Sequence, residues 1–180
     1  MEIRDARPDE FDEVGDVRLA AYLADGFLSP QSTYAPMLRA LGADGIGHVL
    51  VAVASDRSDL SPQAGTGARP NLGRAPIVGT VTLQGWPHGG EILAGPGEAE
   101  IRALAVVPEV RGSGLGRALL TSVIDRAAAA GVRRLVLLTQ PDMQAAHHLY
   151  ETAGFTRLPE RDWSPEPGVT LLAYALDLDS

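Results

Sequence analysis

Apolar side chains along this chain recur every second residue in some stretches and every third or fourth in others. The first spacing predicts half-buried strands and the second amphipathic helices. Glu2–Arg7 reads as a short strand, and Pro8, Asp9 and Glu10 as an acidic helix start. Phe11, Val14, Val17, Leu19, Ala21 and Tyr22 then predict a helix that loosens near Gly26. A second helix follows Ser29-Pro30 and ends near Gly42, with Met37, Leu38 and Leu41 facing inward. Gly47–Ala54, with Val49, Val51 and Val53 on one face, and Pro76–Leu83 read as strands.

The second half is better defined. It predicts a strand over Ala99–Val107, a Gly-rich turn over Arg111–Gly116 and a helix over Leu115–Ala130. Leu119, Leu120, Val123, Ile124 and Ala127 form the apolar face of that helix, and Gly131 stops it. A strand over Arg134–Leu138 follows, then a helix over Pro141–Ala153 with Pro in its first turn and Gly154 just past its end. Phe155–Leu158 and Val169–Leu178 complete the set as strands. Interleaved strands and helices give an α/β class.

Two connections stand out. Ser55–Ala75 is rich in Gly, Pro, Ser and Arg without periodicity, which predicts a flexible insertion. Gly85–Gly97 is a second Gly/Pro-rich connection. Neither has a second apolar core behind it, so residues 1–180 read as a single domain.

Composition narrows the chemistry by what is missing. The 180 residues contain no Cys, which removes disulfides, thiolate metal sites and thiol nucleophiles. They contain no Lys either, since all 15 basic residues are Arg. That excludes a Schiff-base lysine and the lysine of a Walker phosphate loop. A net charge of −8 argues against nucleic acid as a partner. No apolar run approaches the roughly 20 residues that span a bilayer. Nor does an apolar leader follow Met1. The expectation is a cytoplasmic protein with no membrane partner. No His/Asp/Glu spacing argues for a metal.

The informative segment runs Val107-Pro108-Glu109-Val110-Arg111-Gly112-Ser113-Gly114-Leu115-Gly116-Arg117. Glycines between a strand and a helix let backbone N–H groups converge on an anion, and the helix N-terminus adds a partial positive charge. Arg111 and Arg117 bracket the turn and offer charge-assisted contacts to a diphosphate. The order Gly112, Gly114, Gly116 is one residue short of a dinucleotide fingerprint.

Arg111-Gly112-Ser113-Gly114-Leu115-Gly116 resembles the R/Q-x-x-G-x-G/A acyl-CoA pyrophosphate loop of the GNAT N-acetyltransferase superfamily. A second segment, Ala146-His147-His148-Leu149-Tyr150-Glu151-Thr152-Ala153-Gly154-Phe155, resembles that family's A-x-x-L-Y-E-x-x-G-F motif. The close match covers about residues 98 to 158. The resemblance implies a mixed, mostly antiparallel central sheet flanked by helices, in which the strands carrying Leu104 and Val136 are neighbours that splay apart. Acetyl-CoA is then the implied cosubstrate. Its pantetheine arm would bond to the main chain around Leu104, Ala105 and Val106, and its pyrophosphate to the amides of Arg111–Gly116, with Ala146 and Arg117 contributing. The implied reaction is direct acetyl transfer to an amine-bearing acceptor, a small molecule or a peptide or protein.

An amine must lose a proton to attack, and a departing thiolate gains from a nearby acid. Tyr150 holds the Tyr position of the second motif, which in this family points at the CoA sulfur, and is the implied acid. Glu100 matches the base position of histone-modifying members; a solvated carboxylate at a strand end is the other reading. Many members carry Asn three residues before the motif's Ala, where this chain has Met143. His147 and His148 read as structural or surface residues. Tyr22, Asp25, Phe27, Tyr34, Trp86 and Trp163 are candidates for the acceptor wall. The oligomeric state stays open, with a dimer among the options. A catalytically silent acyl-CoA-binding sensor or interaction module is the alternative.

Overall fold

The computed structural model describes residues 1–29, 31–55, 75–90 and 92–178. Its strands are β1 (Glu2–Asp5), β2 (His48–Val53), β3 (Ile77–Gly85), β4 (Glu98–Val106), β5 (Arg134–Thr139), β6 (Thr156–Arg157), β7 (Trp163–Glu166) and β8 (Val169–Asp177). Its helices are α1 (Phe11–Ala24), α2 (Tyr34–Ala40), α3 (Leu115–Ala129) and α4 (Gln144–Thr152). The strands form one sheet in the order β1-β2-β3-β4-β5-β8-β6, with β7 added against β8. Every pairing is antiparallel except β4 with β5. The expected mixed, mostly antiparallel sheet is the one observed.

Strand parity places the helices. Arg18 of α1 donates to Thr82 Oγ1 on β3, so α1 covers the face that carries Thr80, Thr82 and Gln84. Gly79 points the other way. A Cβ there would lie 2.9 Å from Leu119 Cδ1, so its absence lets α3 settle on the opposite face. Val81, Leu83, Ile101, Leu119, Leu120 and Val123 are buried together there. A smaller cluster of Ile92, Leu93, Val136, Ala173 and Ala175 fills the α1 face beside β5.

Helix α1 hides a charge that periodicity gives no reason to expect. Arg18 is fully buried and donates to Leu38 O at 3.3 Å, Leu41 O at 2.7 Å and Thr82 Oγ1 at 2.8 Å. It thereby satisfies carbonyls at the end of α2. Burial pulls its pKa down to about 10.

Several boundaries differ from expectation. Strand β1 stops at Asp5, because the Arg7 amide turns to donate to Glu10 Oε2 at 2.8 Å. The second helix begins at Tyr34 rather than directly after Ser29-Pro30, and Met37 is 58 % exposed rather than inward. This helix is seven residues long and seats Leu38 and Leu41, one turn apart, which rotates Met37 outward. The Pro141–Ala153 helix starts only at Gln144, leaving Pro141 in the preceding turn. Phe155–Leu158 shortens to the two residues of β6, and β7 was not expected. The insertion predicted over Ser55–Ala75 lies, but for those two end residues, outside the described residues.

Candidate active site

A break in the sheet makes the site. Strands β4 and β5 pair only from Glu98↔Arg134 to Ile101↔Leu137. Past that point β4 stays with β3 through Val106, while β5 stays with β8 through Thr139. A β-bulge helps steer β4 away: Ala103 takes a left-handed φ of 52°, and the register against β3 shifts between Thr80 and Thr82. A positive φ at a non-Gly residue is uncommon and costs energy, so its place at the parting of two strands is informative. The β4 edge facing the gap offers main-chain donors and acceptors that β5 does not use.

The gap opens into a cavity of about 740 Å³. That is ample for a cofactor-sized ligand. Its β4 wall includes Leu104, Ala105 and Val106, and its rim includes Arg111, Gly112, Gly114, Leu115, Gly116 and Arg117. Helix α4 adds Ala146, Leu149 and Tyr150. Of the cofactor-binding residues expected from sequence, only Ser113 lies off the wall, its hydroxyl donating to Val110 O at 2.7 Å. The turn is shaped by φ of 77° at Gly112 and 85° at Gly114. No side chain caps α3, whose N-cap is Gly114, so the first-turn amides are left for an anion.

Tyr150 is 8 % exposed and packs against Phe155 and Tyr174, with ring centroids 5.9 Å and 6.3 Å away. Burial pushes its pKa up to about 12, so the phenol keeps its proton throughout the physiological range. Among the described residues no group bonds its hydroxyl, which leaves it free to donate to a ligand. Tyr22 stands on the same cavity wall, and burial raises its pKa as well.

Glu100 lies elsewhere. It is absent from the cavity wall and sits on the α1 face of β4, 5 % exposed. Gly90 N donates to its Oε2 at 2.7 Å, and Arg102 Nε stands 3.7 Å from its Oε1. Burial raises its pKa, while Arg102 and the Gly90 amide oppose the rise.

Of the expected acceptor-wall residues, Tyr22, Asp25 and Phe27 line the cavity, whereas Tyr34, Trp86 and Trp163 are exposed outside it. Met143 lines the cavity too, and its Sδ accepts from Thr139 Oγ1 at 3.5 Å. An apolar side chain thus forms this part of the wall. His147 Nε2 donates to Gln140 O at 3.0 Å and its ring lies 5.6 Å from Tyr174, a structural role, while His148 is exposed on the rim.

Sequence reasoning missed two ties across the opening. Arg111 Nη1 donates to Asp25 Oδ1 at 2.5 Å, and Gln140 Nε2 donates to Phe27 O at 3.1 Å. Neither leaves a signal in spacing, because the partners are 86 and 113 residues apart. Among the described residues no group of His, Asp or Glu is arranged to hold a metal ion, and no helix is long and apolar enough to cross a membrane.

Known proteins share this architecture. An acetyltransferase of the GNAT family from Staphylococcus aureus Mu50 superposes with a TM-score of 0.71 at 16% identity, covering 99% of both chains. A Bacillus subtilis acetyltransferase solved in complex with CoA superposes at 0.62 with 19% identity, covering 98% of both. In sequence, the mycothiol acetyltransferase of Kocuria rhizophila is 44% identical over 62 residues, which is 34% of this chain and 20% of that protein. The matches to such enzymes span between 19% and 27% of their length. Residues 45–155 match the acetyltransferase (GNAT) family as a whole. With the splayed sheet and the glycine turn at the head of α3, that match makes the chain a member of the GNAT acetyltransferase family.

Proposed function

We propose that this chain moves an acetyl group from acetyl-CoA directly to a primary amine, on a small molecule or on a peptide or protein. One observation carries the reading. The unpaired stretch of β4, the uncapped glycine turn at the start of α3 and Tyr150 all line the same cavity. The residues fit the donor part by part. Leu104–Val106 supply an open strand edge for an amide-bearing arm, the Gly112–Gly116 turn supplies converging amides for a pyrophosphate, and Arg117 supplies an exposed cation.

The donor supplies a thioester carbonyl and a thiolate leaving group. The amine nitrogen bonds to that carbon, the C–S bond breaks, and the thiolate takes the electron pair. A thiol ordinarily titrates near 8.5. A phenol at about 12 therefore stabilises the thiolate as a hydrogen-bond donor rather than by complete proton transfer. Glu100 is the proposed base. Because its carboxylate lies off the cavity wall, proton removal runs through water, and its raised pKa suits the task. Main-chain N–H groups at the β4 bulge would polarise the carbonyl.

The test is a CoA-release screen over small amines, polyamines, aminoglycosides and peptide N-termini, paired with calorimetry for CoA. Release that depends on an amine supports the reading. CoA binding with no release for any amine would make the chain a binding module, and no CoA binding would remove the donor.

A further inference from the structure

We propose that Asp25 is a positioning residue for the pyrophosphate turn, acting through Arg111, and that Arg111 holds the turn to α1 instead of reaching the phosphates. This rests on the acetyl-CoA reading above. Each of the three guanidinium nitrogens donates to the protein. Nε donates to Val106 O at 3.2 Å, Nη1 to Asp25 Oδ1 at 2.5 Å and Nη2 to Ala21 O at 3.3 Å. These partners belong to the end of β4, the C-cap of α1 and the last turn of α1. Ala21 O is one of the carbonyls that a helix terminus leaves without a partner, and a cation there also meets the negative end of the helix dipole.

Arg111 is also the first residue of the turn. Its side chain therefore reaches back while its backbone leads into Gly112 and Gly114. Three acceptors from two elements fix where the turn begins, and the fork geometry of the guanidinium transmits that placement. Asp25 serves a second purpose. It lines the cavity as a carboxylate, and only a paired cation makes it tolerable near a diphosphate. Arg117 is then the side chain left for the phosphates, since it is exposed on the rim and bonded to nothing among the described residues.

The pair is about one-third exposed on each side, which caps its worth at roughly fivefold in an equilibrium constant. The experiment compares wild type, Asp25→Asn, Asp25→Ala, Arg111→Ala and the Asp25→Ala/Arg111→Ala double variant. The readouts are the Kd for CoA and steady-state kinetics with acetyl-CoA and with S-acetylpantetheine, which lacks the pyrophosphate. Expected is an approximately fivefold weaker CoA Kd in both Asp25 variants. The loss in kcat/KM should be about fivefold larger with acetyl-CoA than with S-acetylpantetheine, and the double variant no weaker than Arg111→Ala. Tighter CoA binding on loss of Asp25 would overturn the proposal, because it would show a guanidinium withheld from the phosphates. An unchanged CoA Kd, equal losses with both donors or additive losses in the double variant would overturn it too. Hydrogen exchange at amides 112–117 of the ligand-free protein separates the two readings. Faster exchange in Asp25→Ala supports the clamp even if CoA fails to bind, and unaltered exchange refutes it even if CoA binds.

Discussion

Replacing Tyr150 with Phe removes one oxygen from a wall of the cavity and almost nothing from the fold. The ring is buried against Phe155 and Tyr174, and those contacts survive in Phe. No described residue bonds the hydroxyl, so its loss strands no partner, and stability should change by less than about 0.5 kcal/mol. The catalytic effect follows from the charge that appears on sulfur. A hydrogen bond to a charged group contributes about 1.5–3 kcal/mol, which converts to a loss of roughly 10- to 150-fold in kcat. The KM for acetyl-CoA should hold within about threefold, because the neutral thioester gains little from the phenol. Released CoA can be followed with a thiol-reactive dye, and with no Cys in the chain the protein adds no background. A phenol at about 12 also predicts no falling limb from this group below pH 10. Full turnover in Tyr150→Phe, with the chemical step shown to limit, would refute the assignment.

Other perturbations test other parts. Glu100→Gln should lower kcat/KM and abolish the acid limb of its pH profile, since a base with a raised pKa loses activity as pH falls through that pKa. Stability carries the opposite sign. Burial raises the folded pKa of Glu100 above its unfolded value of about 4.3, so the folded state binds more protons and wild-type stability declines as pH rises through that window. Glu100→Gln should therefore gain on wild type in thermal melts at neutral pH, with the gain vanishing below about pH 4; equal melts at both pH values would contradict this. Gly114→Ala forces a side chain onto a φ of 85° and should cost about 1–2 kcal/mol in denaturant titration, with weaker CoA binding. Arg18→Leu leaves Leu38 O, Leu41 O and Thr82 Oγ1 without their donor and should destabilise by about 2–4 kcal/mol, read in urea melts.

The glycine turn and the Tyr150 helix were legible from local pattern, because φ values near 80° and helix stops require Gly at particular positions. Strand order was legible only through resemblance. Nothing in the alternation of β4 and β5 says that they pair in parallel over four residues and then part. At that parting Ala103 takes a left-handed conformation, for which an alanine carries no sequence signature. Arg18 was invisible for a different reason. A lone Arg inside an apolar stripe reads as solvent-facing until the carbonyls at the end of α2 are seen to need a donor.

Arg111 shows where motif reading and physical reading part company. The motif is carried by residue type, and a cation beside a phosphate-binding turn invites the inference that it binds phosphate. The structure gives that guanidinium three protein acceptors on α1 and β4. Backbone amides can hold an anion only where the chain is fixed, and glycines at Gly112 and Gly114 make this segment the least fixed by intrinsic preference. A side chain that fastens the first residue of such a turn answers that problem directly. Asp25 lies just past the end of α1, and Gln140 reaches the same segment from the end of β5 through Phe27 O. Arg111 and Gln140 thus tie the segment after α1 to the two sides of the opening between β4 and β5. Loosening either should alter acceptor KM along with donor affinity, and kinetics of Gln140→Ala that change neither would separate the two walls.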